Sequence, residues 1–158
     1  GRELVEPGYF AGLDDCRARY GLKPQDIGIE LTENILIKAG SEALEELKKQ
    51  RKKGVEISVD DFGVGYSSLS YLKHFPVSHL KIDRTFLKDA PESAYDGALM
   101  EAIVNVGHKL DLFIVAEGVE TAEQSLYCQE LKVEYVQGFL YAKPMPAREL
   151  EKLLMPTE

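Results

Sequence analysis

The chain has 158 residues, 44% hydrophobic and 29% charged, an ordinary balance for one domain with a single core. Its formal net charge of −8 argues against a non-specific grip on duplex nucleic acid, which needs a basic surface. No apolar run approaches the roughly 20 residues that cross a bilayer. The start, Gly1-Arg2-Glu3-Leu4, carries no secretory signal, and Cys16 and Cys128 form no CxxC pair. Reduced thiols and a cytoplasmic setting are the expectation.

From the start of the chain, Phe10, Leu13, Ala18 and Tyr20 sketch an amphipathic helix that Gly21-Leu22-Lys23-Pro24 ends. Residues 27–33 read as a strand. Ser41 is placed to cap a helix through Ala43, Leu44 and Leu47 that stops at Gly54. A strand over 55–60 follows, then a helix from about Ser68 to Phe75, cut by Pro76. His79-Leu80-Lys81-Ile82-Asp83 is a short strand. Asp96 opens a long helix through Leu99, Ile103, Val106 and Leu110. Residues 112–116 are continuously apolar, the mark of a strand buried on both faces. Thr121-Ala122-Glu123-Gln124 is a capping box, 135–139 the last strand and Ala147 to Leu154 a closing helix. Five strands alternating with helices predict an α/β fold with a parallel sheet.

The polar residues fall at the strand ends. Glu30 and Glu33 close the first strand, Asp60 and Asp61 the second, Lys81 and Asp83 the third; Glu117 and Glu120 close the fourth, and Gln137 lies in the fifth. In a parallel sheet or barrel all carboxyl ends share one face, where loops build the active site. So many acids on one face repel one another unless cations sit among them. Carboxylates with a lysine, and no histidine or thiol nearby, suit Mg²⁺ or Mn²⁺ over Zn²⁺. Two such ions can clamp a phosphodiester and activate a water.

Taken singly these signals are weak. An Asp-Asp pair before a glycine is common turn chemistry, and Gly63-Val64-Gly65 lacks the third glycine of a dinucleotide fingerprint. A nucleotide oxidoreductase built on that turn also fails on charge, because Asp60 and Asp61 would repel a bare pyrophosphate. His74, His79 and His108 are scattered and read as surface or packing residues. The run Lys48-Lys49-Gln50-Arg51-Lys52-Lys53 reads as a solvated helix end that the macrodipole favours.

Four stretches, "ELTE" at 30–33, "DDFGVGYSSLSYLKHFPVSHLKIDRTFL" at 60–87, "VAEGVET" at 115–121 and "QGFLYAKPMP" at 137–146, resemble the EAL-domain phosphodiesterases of bacterial cyclic di-GMP signalling, in collinear order. The resemblance implies a TIM-barrel-like (β/α)8 EAL fold that opens cyclic di-GMP to linear pGpG with two Mg²⁺ or Mn²⁺ ions. By position, Glu30 and Asp60 look like ligands of one metal and Asp61 of the second, with Asp83 on the second-metal side. Lys81 looks like the residue that orients the attacking water, and Glu117 like the general base or water-positioning carboxylate. Glu33 and Glu120 look like supports of loop 62–69, which also helps such enzymes dimerise, and Gln137 matches a position near the guanine-nucleotide site.

This chain departs from the family's eight strands. It matches only about the last five βα units, so residues 1–158 read as a partial EAL domain. The strands with the Glu-Ala-Leu motif and the metal-binding Asn are missing, and Arg2 to Pro7 resembles the segment just after the latter. Glu42-Ala43-Leu44 sits in a surface helix and reads as chance. The expectation is a fragment that does not catalyse by itself, from a longer protein in which sensory or GGDEF-type domains, or a membrane anchor, can precede it. The alternative is a non-catalytic cyclic di-GMP receptor or regulatory module; receptors usually lose the metal acids or the loop, and this chain keeps both.

Overall fold

The computed structural model describes residues 8–63 and 72–155. Strands β1 (Gly28–Thr32), β2 (Glu56–Phe62), β3 (His79–Ile82), β4 (Phe113–Glu117) and β5 (Tyr135–Gln137) form one parallel sheet in the order β1-β2-β3-β4-β5. Parallel neighbours cannot be joined by a tight hairpin and need long crossovers. Helices supply them: α1 (Tyr9–Tyr20) precedes β1, and α2 (Glu33–Lys38) and α3 (Ser41–Lys53) follow it. Beyond β3 come α4 (Arg84–Leu87) and α5 (Ala94–Lys109), then α6 (Ala122–Glu130) after β4 and α7 (Ala147–Leu154) after β5. No helix among the described residues is long and apolar enough to cross a membrane.

The register sorts the side chains into two faces. Because strand residues alternate, Ile29, Leu31, Ile57, Val59, Leu80, Ile82, Ile114 and Ala116 share one face, and all are buried. Leu36, Leu47, Leu87, Met100, Ile103 and Cys128 join them in the core, which therefore lies between sheet and helices. Gly107 inside α5 has its place here: a Cβ would overlap the Ile114 side chain, so the missing methyl lets α5 approach β4. The opposite face carries Glu30, Ser58, Asp60, His79, Lys81, Phe113, Val115, Glu117, Tyr135 and Gln137. At its amino end His79 stacks on Phe113 and Tyr135, with ring centroids 5.3 and 5.9 Å away.

Several sequence expectations change in the structure. Glu33 is not a strand residue; β1 stops at Thr32, and Glu33 begins a six-residue helix too short to show a period. Ser41 does not cap α3: Gly40 is the capping residue and makes no side-chain bond. The long helix starts at Ala94, with Ser93 Oγ accepting from the Asp96 amide at 3.2 Å. Tyr20 is 69% exposed and takes no part in the buried side of α1. β4 is not buried on both faces, since Phe113 is 48% exposed on the face that carries no helices. β5 ends at Gln137, where the chain turns through Gly138. The capping box at Thr121 and Gln124 is present, and Gly54 ends α3 with φ 103°. Half of the expected helix from Ser68 to Phe75 lies outside the described residues, and residues 64–69 of the loop and Arg2 to Pro7 lie wholly outside them.

β1 and β5 are each paired on one side only among the described residues, and unpaired parallel edges recruit further strands. Residues 1–158 made alone are expected to self-associate or precipitate; a monodisperse monomer in light scattering would contradict this. The two thiols also separate by environment. Cys16 is exposed, whereas Cys128 is 1% exposed and burial pushes its thiol up to about 11. A colorimetric disulfide reagent at pH 8 should titrate one thiol in the native chain and two in denaturant. Equal rates for both would mean that α6 does not pack as described.

Candidate metal centre

Lys81 stands at the middle of the carboxyl end of the sheet. It lies on β3, the central strand, so strands on both sides can reach it. Its Nζ is 2.9 Å from Glu30 Oε2 of β1, 3.1 Å from Asp60 Oδ1 of β2 and 2.8 Å from Glu117 Oε1 of β4. The side chain is only 8% exposed. Burial alone would lower the ammonium's pKa; the carboxylates of Glu117, Glu30 and Asp60 more than reverse this, so Lys81 is held charged.

Asp60 and Asp61 are adjacent, and in a regular strand they would point to opposite faces. The strand is not regular there. The β2–β3 register shifts between Val59 and Phe62, and Asp61 has φ 51°, a left-handed value that few non-glycine residues adopt. With this bulge, oxygens of Asp60, Asp61 and Glu117 come within 4.8 Å of one another. Strain of this kind costs about 1–3 kcal/mol and tends to collect at functional sites. Asp60 Oδ1 is buried and makes no well-directed hydrogen bond, although the Lys81 ammonium is near. Carboxylate oxygens converging from three residues, in a group made of carboxylates alone, fit a hard divalent cation with oxygen ligands.

The remaining expected residues fall at graded distances from this centre. Asp83 is the N-cap of α4: its Oδ1 accepts from the Thr85 amide at 2.9 Å and the Thr85 hydroxyl at 2.6 Å. Partial burial would raise its pKa, but the two Thr85 bonds and the nearby Arg84 charge hold it below the ordinary aspartate value. Gln137 pairs with Glu117 across the β4–β5 ladder and is exposed. Glu33 is 4% exposed at the start of α2. Glu120 is exposed in the turn after β4, where its amide donates to Gln124 Oε1 at 2.8 Å. His79 packs against rings, and His108 pairs with Glu134 at 3.1 Å, so neither belongs to the acid group.

The sequence reading missed the supports of these acids. Thr85 holds Asp83 through a backbone and a side-chain bond. Gly63, at φ 96°, leaves room for the Phe86 ring, and Gly118, at φ 70°, leaves room for the Arg84 stem. The signal was present in part: a glycine directly after an acid at a strand end invites a turn that needs φ above zero. Which side chain crosses above that turn could not be read from the sequence.

Residues 1–144 match the sequence profile of the EAL domain. The chain is 45% identical over 148 residues to the bifunctional diguanylate cyclase/cyclic di-GMP phosphodiesterase MucR of Pseudomonas aeruginosa, a match covering 94% of the chain and 22% of MucR. It thus spans about a fifth of that relative's length. The solved PaMucR phosphodiesterase in complex with c-di-GMP superposes with a TM-score of 0.86 at 40% identity, covering 94% of this chain and 60% of that one. Klebsiella pneumoniae BlrP1, solved with manganese and cyclic di-GMP, gives a TM-score of 0.82 at 33% identity, covering 90% of this chain and 36% of its own. With a profile matched over nearly its whole length and a sheet that superposes on these barrels, the chain belongs to the EAL-domain family.

Proposed function

We propose that residues 1–158 are part of an EAL domain that hydrolyses cyclic di-GMP to linear pGpG with the help of divalent metal ions. The observation that carries this reading is the convergence of Glu30, Asp60 and Glu117 on Lys81, with Asp61 brought alongside by the β2 bulge. Relatives named as cyclic di-GMP phosphodiesterases, and the manganese and cyclic di-GMP complex of BlrP1, support it.

Glu30 and Asp60 would hold one Mg²⁺ or Mn²⁺, and Asp61, with Asp83 beside it, the second. Bound ions of this class supply a Lewis acid for the phosphoryl oxygens and a more acidic water. Lys81 keeps its proton and holds Glu30 and Glu117 by charged hydrogen bonds, so the two carboxylates keep fixed positions. Glu117 is the group that accepts a proton at Oε from the attacking water. Gln137, its neighbour in register, offers an amide to a guanine edge. Glu33 and Glu120 brace the loop that begins at Phe62. This domain would work in the cytoplasm, in keeping with its free thiols, as a homodimer, and within a longer protein whose other domains supply the input.

The protein that carries this chain should require Mg²⁺ or Mn²⁺. Asp60→Asn or Asp61→Asn should lower turnover by about a thousandfold, since each removes charge stabilisation worth several kcal/mol. Chromatography of the pGpG released, beside calorimetric Mn²⁺ titration, measures both effects; cleavage by Asp60→Asn at the parental rate refutes the assignment. Glu117→Gln keeps shape and loses charge. It should bind cyclic di-GMP normally and cleave it roughly 10²–10⁴ times more slowly. Lost binding with normal turnover at saturation would remove Glu117 from the base role, and a parent that binds but never cleaves would be a receptor.

A further inference from the structure

Glu117 is followed at once by a tight turn, and that turn is held from two sides. On one side Gly118, with φ 70°, lies over the Cβ of Arg84, so a side chain there would run into α4. On the other side the main chain of Val119 is used twice. Its amide donates to Gln137 O and its carbonyl accepts from Leu140 N, both at 3.0 Å. Val119 is completely buried, so neither group has water as an alternative partner.

The two bonds straddle Gly138. A Cβ on Gly138 would overlap the nitrogen, carbonyl carbon and oxygen of Val119. Gly138 is not among the positive-φ residues, so its backbone conformation is open to any amino acid. The demand for glycine is therefore steric. The obstacle is backbone rather than a flexible side-chain tip, so it cannot be relieved by a rotamer change. The strand-end loop of β5 is itself fixed: Gly138 O accepts from Tyr141 N at 3.1 Å, and the Tyr141 hydroxyl meets Ser125 Oγ of α6 at 2.8 Å.

From this geometry we infer that Gly138 is a positioning residue: its bare Cα seats the Val119 main chain on the β5 loop and thereby sets Glu117 against Lys81 and Gln137. The inference rests on the phosphodiesterase reading for its catalytic consequence and on packing alone for the seat. Adding a methyl pushes the turn outward. The carboxylate of Glu117, two residues before Val119, then leaves its 2.8 Å contact with Lys81. A displacement of about 1 Å at a reacting group costs on the order of a hundredfold in rate.

The test compares Gly138→Ala, Leu140→Pro and Gly12→Ala in the protein that carries this chain. Gly12 lies in α1 with nothing within 4 Å of its added Cβ, so that variant controls for a glycine change as such. Deuterium uptake in the peptide containing Val119, measured without metal or substrate, should rise in Gly138→Ala and stay unchanged in Gly12→Ala. With cyclic di-GMP and Mn²⁺, kcat of Gly138→Ala should fall about a hundredfold while KM moves within about threefold. Leu140→Pro removes the N–H that donates to Val119 and sets the proline Cδ against that carbonyl, so it disturbs the same seat by a second route and should also raise Val119 exchange and lower kcat. It keeps the test open if the alanine variant does not fold. Unchanged Val119 exchange in Gly138→Ala overturns the seat, and faster exchange with unchanged kcat overturns the positioning role. If the parent does not cleave cyclic di-GMP, the functional reading falls and the exchange comparison still decides the seat.

Discussion

One buried ammonium organises the carboxyl end of this sheet. Lys81 reaches from the central strand to acids on β1, β2 and β4, and its side chain is almost wholly out of water. Burying a charge this far is costly unless partners compensate, and here the partners are carboxylates that would otherwise repel one another. The compensation is incomplete by design of the charge count. Glu30, Asp60, Asp61 and Glu117 carry more formal negative charge than one lysine cancels. Surplus charge of this kind would favour cations, and bound cations would in turn favour a phosphate.

The acids depend on a common support that none of them belongs to. α4 is only four residues long, Arg84–Leu87, yet Phe86 lies against Gly63 after β2 and the Arg84 stem against Gly118 after β4. Asp83 caps the same helix through Thr85. Gly63, the turn that follows Glu117 and the Asp83 carboxylate therefore rest on a single short element. Close packing transmits displacement, so movement of α4 would be felt at all three.

The face that carries these groups divides along the strands. Toward the carboxyl end it is polar and charged. Toward the amino end it turns aromatic, with His79, Phe113 and Tyr135 in ring contact and Ser78 Oγ bonded to both the amide and the carbonyl of Ile57 at 3.1 Å. Barrel enzymes separate chemistry at one pole from stability at the other. The same division runs through single strands here: His79 packs against rings and Lys81 pairs with carboxylates, two residues apart on one face of β3.

Much of this could be read in the residues themselves. Alternating hydrophobic strands and capped helices fixed the class of fold, because periods of two and of about 3.6 are properties of local chain geometry. Acids recurring at successive strand ends could be assigned to one pole, because parallel strands must share that pole. Short and exceptional features stayed hidden. α2 is too brief to show a period, and Phe113 seemed buried because an apolar run does not say how many of its faces are covered. Only the tertiary structure put Asp61 beside Asp60, through a bulge and a left-handed backbone that no pattern of residue types predicts. It alone placed Val119 against Gly138, since contact between loops after different strands depends on register and on the space that neighbouring side chains leave.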